Sequence, residues 1–99
     1  MTILKPLKKC GFYKDSIGSY ELNESFAVQN ILCNQLLDID PQKINVNGGG
    51  IALGYPIGCT GLRMSISLIY EMLRRKVEFG LCAISAGGNM GQAVVFQHA

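Results

Sequence analysis

The fold of this chain is decided by the stretch NVNGGGIALGYPIGCTG, residues 45–61. Six glycines lie within the fourteen residues from Gly48 to Gly61. Glycine permits positive φ and a close approach of the backbone to another group. A glycine-rich loop before a helix indicates recognition of an anion or of a backbone segment, or else a tight buried crossing. The spacing matches neither Gly-x-Gly-x-x-Gly nor a P-loop, so it gives a nucleotide site little support.

A helix is predicted directly after this loop, from Thr60 or Gly61 to Lys76. Cationic residues at its end suit the helix dipole, and Thr60 is the expected N-cap. Its apolar stripe, with Met72 beside it, is predicted from helical spacing: Leu62, Ile66, Ile69 and Leu73.

Working outward, the patterns predict six more elements and a turn. In chain order they are a helix over 2–10, a loop into a short strand over 15–22, a helix over 24–37, a strand over 44–46, a buried strand over 79–85, a glycine turn over 86–90 and a strand over 92–97. Thr2 and Asn23 are the expected N-caps, and Gly11 ends the first helix. This order predicts an α/β fold, with helices layered on a mixed sheet that ends in an antiparallel hairpin.

Composition excludes several classes of function. The chain has 99 residues, 48% of them hydrophobic, and a net charge of +2, which favours one folded domain and gives no electrostatic case for nucleic acid or membrane. No apolar run is long enough to span a bilayer, and the first ten residues do not form a secretory signal.

The cysteines and the single histidine predict no metal site. Cys10, Cys33, Cys59 and Cys82 form no Cys-x-x-Cys pair, and His98 is the sole histidine. Four cysteines are enough in number to form a scaffold of two disulfides. The apolar composition favours buried free thiols in a reducing compartment, so we expect a cytoplasmic protein.

Two further segments carry more polar residues and glycines than packing needs. Asn23-Glu24-Ser25-Phe26 lies where a strand gives way to a helix, a junction that serves as a plain helix cap or presents polar groups to a ligand. Residues 85–91, SAGGNMG, form a turn between strands. Its N–H groups suit an oxyanion hole, or the segment is a flexible hairpin turn.

In order and spacing, the three segments resemble the C-terminal half of the thiolase family. Thiolases carry Asn-Glu-Ala-Phe, then Asn-Gly-Gly-x-Ile-Ala-x-Gly-His-Pro-x-Gly-x-x-Gly, then Cys-x-Gly-Gly-Gly-x-Gly. The counterparts here are residues 23–26, 47–61 and 85–91. The resemblance covers nearly the whole chain and implies a partial thiolase-like C-terminal domain.

What the resemblance implies is concrete chemistry. Thiolases cleave 3-oxoacyl-CoA with coenzyme A, or condense two acyl-CoA molecules. A cysteine in the N-terminal half takes the acyl group, the histidine of Gly-His-Pro activates it, and the cysteine of the last motif moves the α-proton. By correspondence, Asn23 holds a water in an oxyanion hole, a backbone N–H at Gly87 helps to form the other, and Phe26 lies near the acyl-CoA substrate.

The sequence departs from the family at the two acid–base positions. Tyr55 stands at the histidine and Ser85 at the C-terminal cysteine. A phenol, with a reference pKa of ~10, is a poor base at neutral pH, although it can donate a hydrogen bond. A serine hydroxyl needs an adjacent base to lose its proton, and Cys59 and Cys82 do not fall on the motif position.

We therefore expect residues 1–99 to form one thiolase-like C-terminal domain, incomplete at its N-terminal side. The expected function is that of an acyl-CoA acyltransferase fragment, a truncated pseudoenzyme that is inactive alone. The alternatives are a subunit of a split acyltransferase and a non-catalytic module that binds full-length thiolases. Coenzyme A or acyl-CoA is the family substrate, with no covalently bound cofactor. A homo-oligomer or a thiolase-type partner chain is the expected assembly.

Overall fold

The computed structural model of the chain describes residues 3–88 and 90–99. Within these residues it has the helices α1 (Leu4–Cys10), α2 (Ala27–Leu37), α3 (Gly50–Leu53) and α4 (Thr60–Arg75), the strands β1 (Ser19–Leu22), β2 (Phe79–Ala86) and β3 (Met90–Gln97), and short 3-10 turns at Lys14–Ser16 and Pro41–Lys43.

The three strands form one mixed sheet in the order β1-β2-β3. Strand β1 runs parallel to β2, with Ser19 opposite Gly80 and Leu22 opposite Ala83. Strands β2 and β3 form an antiparallel hairpin that pairs along its whole length. The predicted α/β class, with a mixed sheet ending in a hairpin, is confirmed.

Each face of the sheet is covered by its own helices, because side chains alternate along each strand. On one face, β1 and β2 pack against α1 and the end of α2 in a core of Ile3, Leu7, Ile17, Tyr20, Leu22, Leu37, Ile39, Leu81 and Ala83. On the other face, α4 packs against Cys82 through Met64, Leu68 and Met72.

The contact between α4 and β2 depends on a glycine. A Cβ on Gly80 would lie 2.5 Å from Sδ of Met72 and 3.0 Å from Leu68. Only a residue without a side chain lets the helix approach β2 this closely. Helix α4 therefore turns Met64, Leu68 and Met72 towards the sheet, although the predicted stripe lies on its opposite side.

That stripe is the main correction to the sequence analysis. Leu62 is 65% exposed, and the other three residues of the stripe, Ile66, Ile69 and Leu73, are also exposed. Helix α4 is apolar on two opposite faces, and periodicity alone cannot say which face meets the sheet.

The remaining corrections concern where elements begin and end. Residues 44–46 do not form a strand, because Ile44 makes a single bridge to Tyr20 and the positive φ of Asn45 then turns the chain away. Helix α2 begins at Ala27, so Asn23 does not cap it. Thr60 lies inside α4, with its hydroxyl donating to the Pro56 carbonyl at 2.9 Å.

At the first helix, Gly11 ends α1 in the left-handed conformation, as predicted. The N-cap predicted at Thr2 lies outside the described residues. The four thiols are free; only Cys82 is buried, while Cys10 and Cys59 are exposed, so the prediction of buried thiols holds for one of them. No helix in the described part of the chain has both the length and the apolar composition to cross a bilayer.

Candidate functional site

The candidate site lies where the parallel strands β1 and β2 end. Asn23 directly follows β1, and its backbone N–H donates to the Ala83 carbonyl of β2 at 2.9 Å. Ser85 follows two residues later on β2. Because the carboxyl ends of parallel strands meet at one edge of a sheet, the pairing brings Asn23 and Ser85 together at the edge where α/β sheets usually bind ligands.

The centre of the site is the side-chain amide of Asn23, which is only 2% exposed. Its Nδ2 donates to Ser25 Oγ at 3.0 Å, and its second proton is shared between Ser85 Oγ at 3.4 Å and the Tyr55 hydroxyl at 3.5 Å. The two serine hydroxyls also hydrogen-bond to each other at 3.0 Å. Three of the predicted site residues, Asn23, Tyr55 and Ser85, thus meet in one cluster.

Gly87 and Phe26, the other two predicted site residues, do not belong to this cluster. Gly87 lies in the exposed turn between β2 and β3, and no heavy atom stands within 4 Å of the place where its Cβ would be. Phe26 is the residue before α2, with a side chain that is 74% exposed. Asn89, in the same turn as Gly87, lies outside the described residues.

The glycine-rich loop reaches the site through Glu24. Glu24 Oε1 accepts a hydrogen bond from Asn45 Nδ2, and its Oε2 accepts one from the backbone N–H of Ile51, both at 3.0 Å. A Cβ on Gly49 would lie 2.3 Å from the Glu24 carboxyl carbon, so this position needs glycine. The carboxylate therefore holds the loop, and with it Tyr55, against the segment that carries Asn23.

Asn45 ties the same loop to β1. Its Oδ1 accepts from the N–H of Leu22 and its Nδ2 donates to the Leu22 carbonyl, both at 2.8 Å. The side-chain amide thus pairs with the last residue of β1 as a neighbouring strand would. This pairing fixes the loop at the same edge of the sheet as the amide of Asn23.

Sequence reasoning passed over Ser25, Glu24 and Asn45 as site residues. The signal for Ser25 was present, because the family motif has alanine at this position. Serine there and serine at the cysteine position form one hydrogen-bonded pair in the structure. For Glu24 and Asn45, the sequence contains no sign that they contact each other across 21 residues.

The cluster is built of amide and hydroxyl groups. The imidazole of His98 belongs to the opposite end of the hairpin, since the His98 N–H donates to the Glu78 carbonyl at 2.8 Å. Ser85 lies six positions after Phe79 on β2, which is about 20 Å at ~3.3 Å per residue. His98 therefore cannot act as a base for Ser85.

The nearby thiols do not replace the missing cysteine. Cys82 faces α4, on the other side of β2 from Ser85, and burial, followed by the charge of Glu21, raises the pKa of its thiol. Cys33 of α2 lines a cavity of about 90 Å³ together with Asn23 and Ser85. Within residues 3–88 and 90–99, no three His, Cys, Asp or Glu side chains form a metal site.

A charged pair lies beneath the site on the α4 face of the sheet. Glu21 is buried, and its Oε2 lies 3.9 Å from Nη1 of Arg63, too far for a hydrogen bond. Burial raises the pKa of Glu21 to about 7, against the lowering effect of Arg63. All three side-chain nitrogens of Arg63 are buried and donate to no described residue. Such groups usually find a partner in folded proteins.

Another buried glutamate, Glu71 of α4, has hydrogen-bond donors for both of its carboxylate oxygens. It accepts hydrogen bonds from Asn47 at 3.0 Å, from Arg74 at 3.0 Å and from Arg75. These bonds, that of Arg74 first, hold its pKa at about 2. Glu71 thereby anchors the start of the glycine-rich loop to α4.

Comparison with known proteins identifies relatives along the whole chain. A sequence model of the thiolase C-terminal domain matches residues 1–98. A 3-ketoacyl-CoA thiolase of Bacillus subtilis is 50% identical over 96% of this chain and 24% of its own length. A peroxisomal 3-ketoacyl-CoA thiolase of Petunia hybrida is 45% identical over 92% of this chain and 20% of its own length.

Solved structures give the same result. Human mitochondrial 3-ketoacyl-CoA thiolase in complex with CoA superimposes with a TM-score of 0.94, at 39% identity, over 98% of this chain and 25% of that one. The Bacillus anthracis acetyl-CoA acetyltransferase gives a TM-score of 0.86 at 43% identity, over 90% of this chain and 23% of that one. The chain thus spans about a quarter of the length of the relatives it matches.

Proposed function

The chain belongs to the thiolase family, whose C-terminal domain it matches, and on this premise we propose that it binds an acyl-CoA thioester without catalysing thiolysis alone. One observation carries the proposal: Asn23, Ser25, Tyr55 and Ser85 form a hydrogen-bonded cluster at the ends of β1 and β2. Hydroxyl and amide groups can hold a carbonyl oxygen. They do not accept a proton at neutral pH.

The lack of a base is the physical reason for inactivity. Under this proposal, Ser85 occupies the position of the family's thiol that moves the α-proton. Its hydrogen-bond partners are Asn23 and Ser25. Neither can take the serine proton. General acid–base catalysis contributes roughly 10²–10⁴-fold per group. Without two such groups, residues 1–99 keep binding and positioning only.

Coenzyme A enters as a substrate in this proposal, and no covalently held cofactor is needed. The support is the human relative, whose structure is described as a complex with CoA. We further propose that residues 1–99 act as one domain, with Gly87 and Phe26 at the rim of the site. Cytoplasmic localisation stays a prediction, since the plant relatives of Petunia and Arabidopsis are named as peroxisomal.

The direct test is an acetoacetyl-CoA cleavage assay on the purified 99-residue chain with free coenzyme A. We expect no turnover above the uncatalysed rate, either for the chain itself or for the double variant Tyr55→His/Ser85→Cys. Binding of acetyl-CoA by isothermal titration is expected in both. Coenzyme A-dependent turnover that disappears in Ser85→Ala would overturn the proposal.

A second candidate function is favoured by the outward face of α4. Leu62, Ile66, Ile69 and Leu73 form a continuous apolar surface there, which we call the α4 stripe, and each residue is at least 41% exposed. An exposed apolar surface of this kind is typical of one half of an interface.

We propose that a chain carrying the other thiolase domain covers the α4 stripe, as in a split acyltransferase or in a regulatory complex with a full-length thiolase. Native mass spectrometry of the chain purified from its own cells tests this. A hetero-complex with a thiolase-type polypeptide supports it. Detection of a homo-oligomer that covers the α4 stripe would indicate that the stripe mediates self-association. Detection of a monomer would contradict both the hetero-complex and the homo-oligomer.

A further inference from the structure

The outer edge of β3 is the side of this strand that faces away from β2. The described sheet ends there, since its strand order is β1-β2-β3. In an antiparallel pair, alternate residues turn both their N–H and their C=O towards the neighbouring strand. The His98 N–H donates to the Glu78 carbonyl, so the even-numbered residues of β3 bond to β2. The odd-numbered residues turn their backbone groups to the outer edge: Gly91, Ala93, Val95 and Gln97.

The hydrogen bonds between β1 and β2 support this alternation independently. The Phe79 carbonyl of β2 accepts from the N–H of Gly18. The Ala83 carbonyl accepts from the N–H of Asn23 in the same way. Odd-numbered residues of β2 therefore face β1, and its even-numbered residues face β3, where the register pairs them with even-numbered residues. Within residues 3–88 and 90–99, the outward backbone groups of β3 have no hydrogen-bond partner.

Nothing in the sequence of β3 protects this edge. Proteins usually blunt an edge strand with lysine, proline or a bulge. Residues 90–97, MGQAVVFQ, contain no charged residue and no proline, and their pairing with β2 is continuous, without a bulge. Helix α4 packs on β1 and β2, so the β3 side chains on its face of the sheet stay accessible, with Val94 45% exposed. The edge is therefore open to another uncharged strand.

We propose that the outer edge of β3 is a homodimer interface, at which β3 pairs antiparallel with β3 of a second copy of the chain. A two-fold axis at Val94 places Gly91 opposite Gln97 and Ala93 opposite Val95, so every outward N–H and C=O of both copies gains a partner. The two Val94 side chains then form a pair without mutual hydrogen bonds, the kind in which side chains approach most closely. The second copy is the occupant that fits, because its strand is uncharged and presents the same alternation.

This interface is separate from the α4 stripe, which lies on the side of α4 that faces away from the sheet. Pairing through β3 joins two sheets edge to edge and leaves the stripe uncovered. It also joins the partly buried Ala93 and Val95 of both copies on the α1 face of the sheet. The dimer does not depend on binding of an acyl-CoA thioester.

Sedimentation of the 99-residue chain over a series of concentrations measures the dimer, and amide hydrogen exchange followed by NMR tests the register. The N–H groups of Ala93, Val95 and Gln97 should exchange slowly in the dimer and rapidly in the dilute monomer. Those of Val94 and Phe96, which bond to β2, should stay protected at both concentrations.

Variants at the two-fold axis give the sharpest test. Val94→Lys and Val94→Glu each place two like charges opposite one another, so each alone should weaken the dimer about 10-fold or more. An equimolar mixture of the two should restore it, because Lys then faces Glu. Val94→Thr, which keeps a β-branched side chain, should stay within about 3-fold of the unchanged chain. Leu62→Ala on the α4 stripe should leave this dimer unchanged.

A monomer at every concentration, a dimer that Val94→Lys leaves intact, or a mixture that does not restore the dimer would each overturn the inference. So would protection of the same amides by a strand of a thiolase-type polypeptide. If the charged variants do not fold, Ala93→Pro replaces them, because proline is tolerated where the N–H faces away from the neighbouring strand. It removes an outward donor and should weaken the dimer about 10-fold, whereas an unchanged dimer would contradict the proposal.

Discussion

Glu24 accepts a 3.0 Å hydrogen bond from Asn45 Nδ2, and through it the segment before α2 is locked to the glycine-rich loop. The other carboxylate oxygen accepts from the N–H of Ile51 at the start of α3, also at 3.0 Å. Both partners are donors, so the carboxylate is the group that suits this place. The site geometry around Asn23 and Tyr55 depends on this lock, although Glu24 belongs to neither strand nor helix.

The first prediction concerns this lock. In Glu24→Gln, the new NH₂ group must face either the Asn45 amide or the Ile51 N–H, so one donor loses its acceptor. We expect a loss of about 1–3 kcal/mol in the free energy of unfolding, measured by urea titration. Glu78→Gln, at an exposed carboxylate that accepts a hydrogen bond from Gln97 at 3.2 Å, should change it by less than ~0.5 kcal/mol. Equal effects in both variants would show that the hydrogen bonds of Glu24 add nothing specific to the free energy of unfolding.

The second prediction tests the need for glycine beside Glu24. A Cβ at position 49 collides with the Glu24 carboxyl group at 2.3 Å, so Gly49→Ala must displace that side chain. We expect it to destabilise the fold by about 1–3 kcal/mol. The matched control is Gly61→Ala, in the first turn of α4 with open space around the new methyl group. That change should stabilise by about 0.5–1 kcal/mol, because alanine suits a helix better. Thermal unfolding of the two variants should therefore shift in opposite directions.

The sequence predicted α1, α2, α4, β1 and the terminal hairpin because these depend on local periodicity, whereas the short helix α3 lies in the stretch assigned to a glycine-rich loop. It also predicted that Asn23, Tyr55 and Ser85 belong together, through the order of the motifs, even though 32 and 62 residues separate the latter two from Asn23. The part that failed depends on long-range contacts. The orientation of α4 follows from its close approach to β2 at Gly80. The apolar pattern of one helix contains no information about that contact.

Ser25 and Gly87 show the same limit at the site. The sequence leaves the segment that contains Ser25 open between a helix cap and a ligand-facing junction, because the bond of Ser25 to Ser85 exists only once β1 and β2 are paired. Gly87 was placed in the site by motif alone, and in the structure no heavy atom lies within 4 Å of where its Cβ would be, so its role stays a prediction. A motif thus indicates which residues correspond to family site positions, whereas strand pairing determines which of these residues are in contact.

The third prediction follows from the two buried glutamates, which respond to pH in opposite ways. Burial raises the pKa of Glu21 to about 7, above its ordinary value of 4.5, so the unfolded state loses this proton first. Stability linked to Glu21 is complete below pH ~4.5 and falls as the pH rises towards about 7. Arg63, Glu24, Glu71 and Cys82 surround this carboxyl group. Urea titrations between pH 4.5 and 7.5 should show the decline, and Glu21→Gln should remove it.

The fourth prediction concerns Glu71, whose pKa is lowered from 4.5 to about 2, first by the hydrogen bond from Arg74. The folded state here holds the proton less tightly than the unfolded state. Its stabilisation is complete above pH ~4.5 and is lost as the pH falls towards about 2. Glu71→Gln should flatten the acid limb of the stability profile and leave the slope between pH 4.5 and 7 in place. A variant that flattens both limbs would mean that the two carboxyl groups titrate as one unit.

The last prediction compares the two apolar faces of α4. Leu68 is fully buried against β2, so Leu68→Ala should cost about 2–5 kcal/mol in the isolated chain. Leu62→Ala, the same change on the α4 stripe, should alter the stability of the isolated chain by less than ~0.5 kcal/mol, because its side chain is already in water. In a complex that covers the stripe, Leu62→Ala should weaken the affinity by 5- to 50-fold, about 1–2.3 kcal/mol of lost apolar contact. Urea titration of the free chain and native mass spectrometry of the complex measure the two effects separately. If Leu62→Ala destabilises the free chain as much as Leu68→Ala, the stripe is already packed in solution, as it would be in a homo-oligomer.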